Sequence, residues 1–370
     1  MKLLGIIDRA LAGKPLEVSE ALLLYEKLNL TELGHLAQVL KNQCVPNPQI
    51  VTYIIDRNVN YTNICNADCL FCAFYKKPGS KEGYVLSNEE FDQKISETLA
   101  NGGDQILLQG GHNPDLGIEY YESLFRRIKK KFPIKLHALS PPEIFHICEK
   151  NNLGFQEVLV RLKEAGLDSI PGGGAEILVD QVRKRLIRHK VNSENWLNIM
   201  KIAHEMGIPT TATMMFGHIE TLEDRIIHML KLEQLQSKTN GFTAFIPWPF
   251  QKTNTPMEKG DFKIHSNEYL KTLALARIIM PHFVNLQVSF VTLGKETATL
   301  GLFFGANDYG SVMMEENVVR AAGAEYPMTE EDIRGEILLA GYIPKRRNML
   351  YEYLEEKTSF LKSPSLTASI

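Results

Sequence analysis

Apolar and polar positions change their spacing near residue 50, and this change divides the chain into two parts. Residues 1–50 carry apolar side chains at helical spacing, in segments such as ALLLYEKL and ELGHLAQVL, and predict a short helical extension. From residue 51, short β-branched or apolar runs alternate with longer segments of helical period. The runs that predict strands are Val51–Tyr61, Gln105–Gln109, Ile134–Ala138, Asp168–Ile170, Thr210–Met215, Phe242–Pro247, Val284–Val288 and Asn307–Val312.

Strands that alternate with helices are typical of parallel sheets with right-handed crossovers. Eight such units between residues 51 and 320 match a (β/α)₈ barrel, a fold of about 250 residues. An open, doubly wound sheet is the main alternative, but no GxGxxG motif follows the first predicted strand. We therefore predict an α/β protein with a helical N-terminal extension (1–50), a barrel (51–320) and a C-terminal helical segment with a poorly ordered tail (321–370).

Composition limits the kinds of partner that the protein can have. A formal net charge of −3 offers no strongly basic surface for nucleic acid or an anionic membrane. The N-terminus has charges among its apolar residues, unlike a signal peptide, and no run approaches the ~20 apolar residues that span a bilayer. We expect a cytoplasmic protein with neither a nucleic-acid nor a membrane partner.

Three of the five cysteines, Cys65, Cys69 and Cys72, lie within eight residues as Cys-x₃-Cys-x₂-Cys. Such clustering predicts metal ligation rather than a disulfide framework. Structural zinc sites need four ligands, and the sequence has no second CxxC or HxxxH pair to supply them. A fully ligated [4Fe–4S] cluster takes four thiolates, so three would leave one iron open as a Lewis-acidic site.

CxxxCxxC is the signature of the radical S-adenosylmethionine (SAM) superfamily, which the chain also resembles in having an aromatic residue, Phe71, before the third cysteine. The resemblance implies that the three cysteines hold a [4Fe–4S] cluster whose open iron binds the methionine part of SAM. One electron from the cluster would then cleave SAM and release the 5′-deoxyadenosyl radical. A non-catalytic electron carrier is an alternative from another class, but such a protein gains nothing from an open iron.

The other distinctive motifs follow predicted strands, where a barrel enzyme builds its active site. Gly110-Gly111 predicts either close backbone approach to a ligand or a tight turn, and the resemblance implies contact with the amino group of SAM. Ser140 and Glu143 either bind ribose hydroxyls or cap the next helix. Trp248 either stacks on an aromatic ligand or closes the barrel mouth.

Two further pairs of polar residues lie near the ends of the fourth and fifth predicted strands. Glu176 and Arg183 follow the glycines 172–174, and the resemblance implies that they bind the ribose and carboxylate of SAM; a solvated surface pair is the alternative. His218 and Glu220 lie where a substrate base is expected and are the candidate catalytic residues. A structural histidine is the alternative for that position.

Motifs between residues 50 and 260 together resemble the cyclic dehypoxanthine futalosine synthase family of the futalosine route to menaquinone. The segments that carry this resemblance are YTNICNADCLFCAFYKKPG, QILLQGGHNPDL, HALSPPEI, SIPGGGAEIL, TTATMMFGHIET and GFTAFIPWPFQ. The resemblance implies a radical SAM cyclase that takes hydrogen from the ribose 4′ carbon of dehypoxanthine futalosine and closes a ring onto the benzoate. It also implies an electron donor such as flavodoxin or ferredoxin. Aminofutalosine synthase is the alternative within the superfamily.

Overall fold

The computed structural model describes residues 3–187, 191–324 and 326–354. The predicted tail, SFLKSPSLTASI, lies outside the described residues. Three helices form the N-terminal extension: α1 (Leu3–Leu11), α2 (Val18–Lys27) and α3 (Leu30–Cys44). Helix α3 begins at a capping box in which Asn29 and Glu32 exchange side-chain and backbone hydrogen bonds. The helical extension therefore has the local signals that start and stop helices.

Strands and helices then alternate along the rest of the chain. The strands are β1 (Ile50–Ile54), β2 (Asp56–Asn60), β3 (Gln105–Gln109), β4 (Lys135–Ala138), β5 (Thr210–Phe216), β6 (Phe242–Pro249), β7 (Asp308–Ser311) and β8 (Ile343–Arg346). The helices are α4 (Asn88–Ala100), α5 (Ile118–Lys131), α6 (Pro141–Asn151), α7 (Phe155–Ala165), α8 (Asp180–Leu186), α9 (Ser193–Glu205), α10 (Leu222–Thr239), α11 (Ser266–Ile279), α12 (Phe290–Leu293), α13 (Lys295–Gly301), α14 (Val318–Ala321) and α15 (Glu330–Leu339).

The strands form three parallel sheets with the orders β7-β1-β8, β2-β3-β4 and β5-β6. Isolated parallel bridges join neighbouring sheets at His137–Ser169, Ile170–Thr210, Phe245–Leu286 and Gln287–Asp308. Because all these pairings are parallel, the carboxyl ends of the strands lie at one end of the fold. The protein is an α/β TIM-type barrel in which single bridges, rather than continuous pairing, connect the sheets.

Three sequence predictions about the strands are corrected by this pairing. The predicted strand Val51–Tyr61 is interrupted at Ile55, because β1 pairs with β7 and β8 whereas β2 pairs with β3. The segments Asp168–Ile170 and Val284–Val288 contribute isolated bridges and form no strand of their own. The segment from residue 321, expected to be helical, contains α15 but also β8, which pairs with β1. The predicted strand Asn307–Val312 is confirmed as β7.

The alternation of side chains along the strands decides which of them face the barrel interior. In β3, Gln105, Leu107 and Gln109 line interior cavities, while Ile106 and Leu108 are buried in the hydrophobic core. In β2, the interior positions are likewise polar. The inner face of the barrel is therefore mixed, because β2 and β3 contribute mainly polar side chains to it whereas other segments contribute apolar ones such as Ile246 and Val288. In the described part of the chain, no helix has the length and apolar character to cross a membrane.

Candidate active site

Two cavities lie inside the barrel and meet at a common wall. The first, of about 220 Å³, contains the cysteine loop, and we refer to it as the cysteine cavity. The second, of about 280 Å³, reaches toward the starts of β2 and β3, and we refer to it as the barrel cavity. Residues that line both are Gln109, Gly173, Gly174, Glu176, Trp248, Val318 and Val319. These seven residues therefore adjoin both cavities, so a change in any of them would alter both.

The three cysteines of the CxxxCxxC motif all line the cysteine cavity, as does Phe71. The motif follows β2 at the carboxyl end of the strand, and its thiols are free of disulfides. The Cys65 Sγ accepts hydrogen bonds from the backbone N–H groups of Ala67 (3.4 Å) and His112 (3.3 Å). Hydrogen bonds to ligand sulfurs are one of the ways in which proteins tune iron–sulfur clusters. The loop thus offers three thiols to one cavity, and the Cys65 sulfur also accepts two backbone hydrogen bonds.

The arrangement of the three cysteines is compatible with a cluster that takes one thiolate on each of three irons. Among the described residues, no group of three or more His, Cys, Asp or Glu side chains is close enough together to hold one metal ion. A [4Fe–4S] cluster binds each thiolate through a different iron, so its ligands are spread around the cluster. Cys65, Cys69 and Cys72 all border one cavity, as the ligands of one cluster must.

Gly110 and Gly111 follow β3, line the cysteine cavity and pack closely against the protein behind them. A Cβ on Gly111 would lie 2.2 Å from the carbonyl oxygen of Ile64, and one on Gly110 would lie 2.6 Å from the ring of Tyr61. Neither residue has a positive φ. Both positions therefore require glycine, because the segment after β3 packs directly against the segment after β2 and the cysteine loop. The opposite face of the same backbone borders the cavity.

Ser140 and Glu143 form the capping box that begins α6, so the capping alternative of the sequence analysis describes their hydrogen bonds. The Glu143 Oε2 accepts from the Ser140 N–H (2.7 Å) and Oγ (2.6 Å). Its Oε1 accepts from the Tyr61 hydroxyl and the Gly110 N–H, both at 2.9 Å. Burial raises the pKa of Glu143, against the opposing effect of these donors. Both residues line the cysteine cavity. There the Glu143 carboxylate connects, by hydrogen bonds, the segments that follow β2, β3 and β4.

Glu176 and Arg183 occupy different positions relative to the cavities. Glu176 is buried, has a left-handed backbone (φ 42°) and lines both cavities. Arg183 is buried outside them and donates to backbone carbonyls, including those of Gly174 (3.1 Å) and Val191 (2.7 Å). Glu176 therefore borders the cavities, whereas Arg183 lines neither and donates to the loop that carries Glu176. Burial lowers the pKa of Arg183, while Glu176, Asp180 and Cys69 act in the opposite direction, so its charge lies within electrostatic range of the cysteine motif.

His218 and Glu220, the candidate catalytic residues, line neither cavity. The His218 Nδ1 lies 2.9 Å from a Glu220 oxygen and its Nε2 lies 3.1 Å from the Met215 carbonyl. Glu220 also accepts from the Arg225 Nε (2.7 Å). Burial opposes ionisation of Glu220, but the hydrogen bond and charge of His218 and the charge of Arg225 outweigh it and lower the pKa to about 2. This geometry favours the structural alternative for both residues.

The polar residues of the barrel cavity were missed by the sequence analysis. Asp56, Gln105, His137 and Arg347 line its inner end. Burial raises the pKa of Asp56, whereas burial and the charge of Arg347 lower the pKa of His137 to about 3. Polar residues at alternate positions of β2 and β3 were the signal that could have identified the first two, because period-two polarity marks one face of a strand.

Comparison with known proteins agrees with this architecture. A family model described as the Radical SAM superfamily matches residues 59–232, and one described as the CofH/MqnC C-terminal region matches residues 239–360. The solved structure of methylornithine synthase superimposes with a TM-score of 0.69 at 18% identity, covering 92% of this chain and 97% of that one. At that identity the likeness shows the fold alone.

Relatives of much higher identity extend over nearly the whole chain. The chain is 45% identical to a cyclic dehypoxanthine futalosine synthase of Halalkalibacterium halodurans, covering 96% of this chain and 95% of the relative. It is 41% identical to one of Streptomyces coelicolor, covering 94% and 88%. It is 39% identical to a 5-amino-6-(D-ribitylamino)uracil–L-tyrosine 4-hydroxyphenyl transferase of Methanosarcina mazei, covering 96% and 94%. The chain therefore belongs to the radical SAM superfamily, whose members use a [4Fe–4S] cluster and SAM, and within it to the group that carries the CofH/MqnC C-terminal region.

Proposed function

We propose that the protein is a cyclic dehypoxanthine futalosine synthase, an oxidative cyclase of menaquinone biosynthesis by the futalosine route. The observation that carries the proposal is the 45% identity to a relative of that name over 355 residues. The arrangement of two meeting cavities supports it, because this reaction needs a cofactor and a separate substrate side by side.

We assign the cluster ligands to Cys65, Cys69 and Cys72, with SAM beside them in the cysteine cavity. When bound, the cluster and SAM supply the 5′-deoxyadenosyl radical. Phe71, Gly110 and the other residues of that cavity wall shape the space around the cofactor. The carboxylate of Glu143 keeps the wall in place through its bonds to the Gly110 N–H and the Tyr61 hydroxyl.

The barrel cavity would hold the substrate with its ribose 4′ carbon facing the cysteine cavity. Gln109, Glu176 and Trp248 line both cavities, so they would contact the reacting ends of both molecules. Positioning of this kind supplies much of the rate in a reaction between two bound groups. The reaction also requires that water and oxygen be excluded from the carbon radical when both molecules fill the cavities.

Restoring aromaticity to the benzoate ring requires one electron and one proton to leave. Because His218 and Glu220 lie outside the barrel cavity, we place the proton acceptor among the carboxyl and imidazole groups that line it: Asp56, His137, Glu176 and Glu316. Burial raises the pKa of Asp56 and Glu316, whereas burial and the charge of Arg347 lower the pKa of His137. A raised pKa makes Asp56 and Glu316 stronger bases in their ionised forms, which are the forms that can accept the proton.

Substrate labelling tests the proposal. Reconstituted enzyme is incubated anaerobically with SAM, dithionite and dehypoxanthine futalosine deuterated at the ribose 4′ position. We expect deuterium in 5′-deoxyadenosine and a product two mass units lighter than the unlabelled substrate. An aminofutalosine synthase would instead retain the adenosyl group in its product. Turnover of 5-amino-6-(D-ribitylamino)uracil with L-tyrosine, in place of dehypoxanthine futalosine, would assign the transferase activity and contradict the proposal.

We further propose that the catalytic unit follows the N-terminal extension from residue 51 and extends beyond the predicted boundary at residue 320, because β8 pairs with β1 and Arg347 lines the barrel cavity. Strands β6 and β7 lie in the region matched by the CofH/MqnC C-terminal model, so this unit spans parts of both matched regions. A small one-electron donor, flavodoxin or ferredoxin, would reduce the cluster in the cytoplasm. Reduction of the reconstituted enzyme by each purified donor, followed by 5′-deoxyadenosine release, tests the choice of reductant.

A further inference from the structure

The inner end of the barrel cavity carries a cationic group that the family motifs do not include. Arg347 directly follows β8, and its backbone N–H donates to the Tyr53 carbonyl of β1 (2.9 Å). Of the described residues that line either cavity, Arg347 is the one Lys or Arg. A bound anion in these cavities therefore has a single guanidinium available for pairing.

The guanidinium of Arg347 is fixed in position before any ligand arrives. Asp308 pairs with one edge, with distances of 2.5 Å from Nε to Oδ2 and 3.0 Å from Nη2 to Oδ1. Asp308 is itself held by the Thr52 hydroxyl (2.5 Å) and the Gly310 N–H (2.9 Å). The ring of Tyr351 lies 3.9 Å from the guanidinium carbon. Although burial alone would lower the pKa of Arg347, Asp308 raises it, so the group stays charged.

This network leaves part of the guanidinium available. Arginine has five N–H donors. Two bond to Asp308 and one, on Nη1, donates to the Asn348 carbonyl (3.2 Å). One N–H on Nη1 and one on Nη2 have no further partner among the described residues. Two N–H groups on adjacent nitrogens of a planar fork match the two oxygens of a carboxylate.

The depth of the cavity suits the proposed substrate. Gln109, at the carboxyl end of β3, borders the cysteine cavity, and Gln105, four residues earlier, borders only the barrel cavity. Four strand residues correspond to about 13 Å. A substrate whose ribose faces the cysteine cavity would therefore direct its far end toward Gln105 and Arg347. In dehypoxanthine futalosine that far end is the benzoate.

We propose that Arg347 binds the benzoate carboxylate of the substrate and so orients the aromatic ring toward the ribose radical. This inference rests on the proposed function, because it takes the carboxylate from that substrate. Gln105 lies beside the same end of the cavity: its Nε2 donates to Asp56 (2.9 Å), and its buried Oε1 has no partner among the described residues. Arg347 would thereby pair with the one permanent charge of the substrate, its carboxylate.

The test combines a protein change with a ligand change. Arg347→Gln and wild-type enzyme are assayed with dehypoxanthine futalosine and with the analogue in which a carboxamide replaces the carboxylate. The matched control is Arg346→Gln, since the neighbouring Arg346 bonds to the Gly102 carbonyl and lines neither cavity. Iron content and unfolding of each variant are measured alongside, to separate binding from folding.

We expect the carboxamide to raise KM in wild-type enzyme by about 10- to 100-fold, the range for a hydrogen bond to a charged group. Arg347→Gln should raise KM for the carboxylate substrate by a similar factor. In this variant, KM for the carboxamide analogue should be only slightly higher than KM for the carboxylate substrate. Arg346→Gln should discriminate between the two ligands as wild type does. SAM cleavage should become less tightly coupled to cyclisation in Arg347→Gln, because the ring is no longer oriented.

Equal effects of Arg347→Gln on both ligands would overturn the inference, as would a wild-type enzyme that accepts the carboxamide with unchanged KM. The second result needs no variant, so it applies even if Arg347→Gln fails to fold. Arg347→Lys, which keeps the charge but lacks the fork, should give an intermediate rise in KM. If wild-type enzyme forms no cyclised product at all, the proposed function fails and this inference fails with it.

Discussion

Replacing Gly111 by Ala should disturb the cysteine loop through a contact whose size the structure gives. The new Cβ would lie 2.2 Å from the Ile64 carbonyl oxygen and 2.8 Å from the Cys65 Cβ. Ordinary contact begins near 3.4 Å, so the two loops would have to separate by about 1.2 Å. Both obstacles belong to or adjoin the backbone, which cannot turn away as a flexible side chain can.

That separation acts directly on the proposed cluster site. It would stretch the bonds from the Gly111 N–H to the Thr62 carbonyl (3.0 Å) and from the His112 N–H to the Cys65 Sγ (3.3 Å). Overpacking of this kind costs about 1–3 kcal/mol of folding free energy. We therefore expect Gly111→Ala to unfold at lower urea concentration and, after anaerobic reconstitution, to hold less iron and sulfide per chain.

Gly335→Ala is the matched control. Gly335 lies within α15, and a Cβ there meets nothing within 4 Å. Alanine in a helix interior is favoured over glycine by about 0.5–1 kcal/mol, so this variant should be more stable than wild type and should bind a full complement of iron. Wild-type stability and full iron content in Gly111→Ala would refute the reasoning, because the loops would then have room that the structure does not give them.

Three further predictions concern the cofactor, a structural carboxylate and the wall between the cavities. Alanine at any cysteine of the CxxxCxxC motif should abolish SAM cleavage, whereas Cys44→Ala and Cys148→Ala should still assemble the cluster, as iron analysis and 5′-deoxyadenosine release will show. The folded-state pKa of Glu220, about 2, lies below its unfolded value, so the contribution of Glu220 to stability is complete above the unfolded pKa and disappears as pH falls toward 2. Glu220→Gln should therefore weaken the loss of stability at acid pH, measured as the free energy of unfolding against pH. An unchanged acid dependence would contradict the assignment. Trp248→Ala should keep SAM cleavage but form less cyclised product per 5′-deoxyadenosine, because Trp248 lines both cavities; strict coupling in that variant would exclude a positioning role.

The order of strands and helices could be read from the sequence because it depends on local patterns. Side-chain periods of two and 3.6 residues and helix caps such as Ser87 with Glu90 act over a few positions. The cysteine motif is local too, since its spacing alone suggests three thiols for one cluster. Its position after β2 then placed it at the carboxyl end of the strands, where parallel barrels carry their sites.

The tertiary structure decided which polar residues face the cavities. His218 and Arg183 follow strands as active-site residues do, yet one bonds to Glu220 and Met215 and the other to carbonyls of its own loop. Both groups are buried, and a buried polar group must find partners wherever the chain supplies them. Sequence position cannot show whether those partners belong to the protein or to a ligand.

The inner end of the barrel cavity depends on contacts between distant parts of the chain. Arg347 reaches the cavity because β8 pairs with β1, almost 300 residues earlier, and because Asp308 of β7 receives its guanidinium. The same pairing divides the first predicted strand at Ile55. Strand register is set by the fit of side chains across the whole sheet, so no local pattern in the residues around Arg347 indicates that it lies inside the barrel.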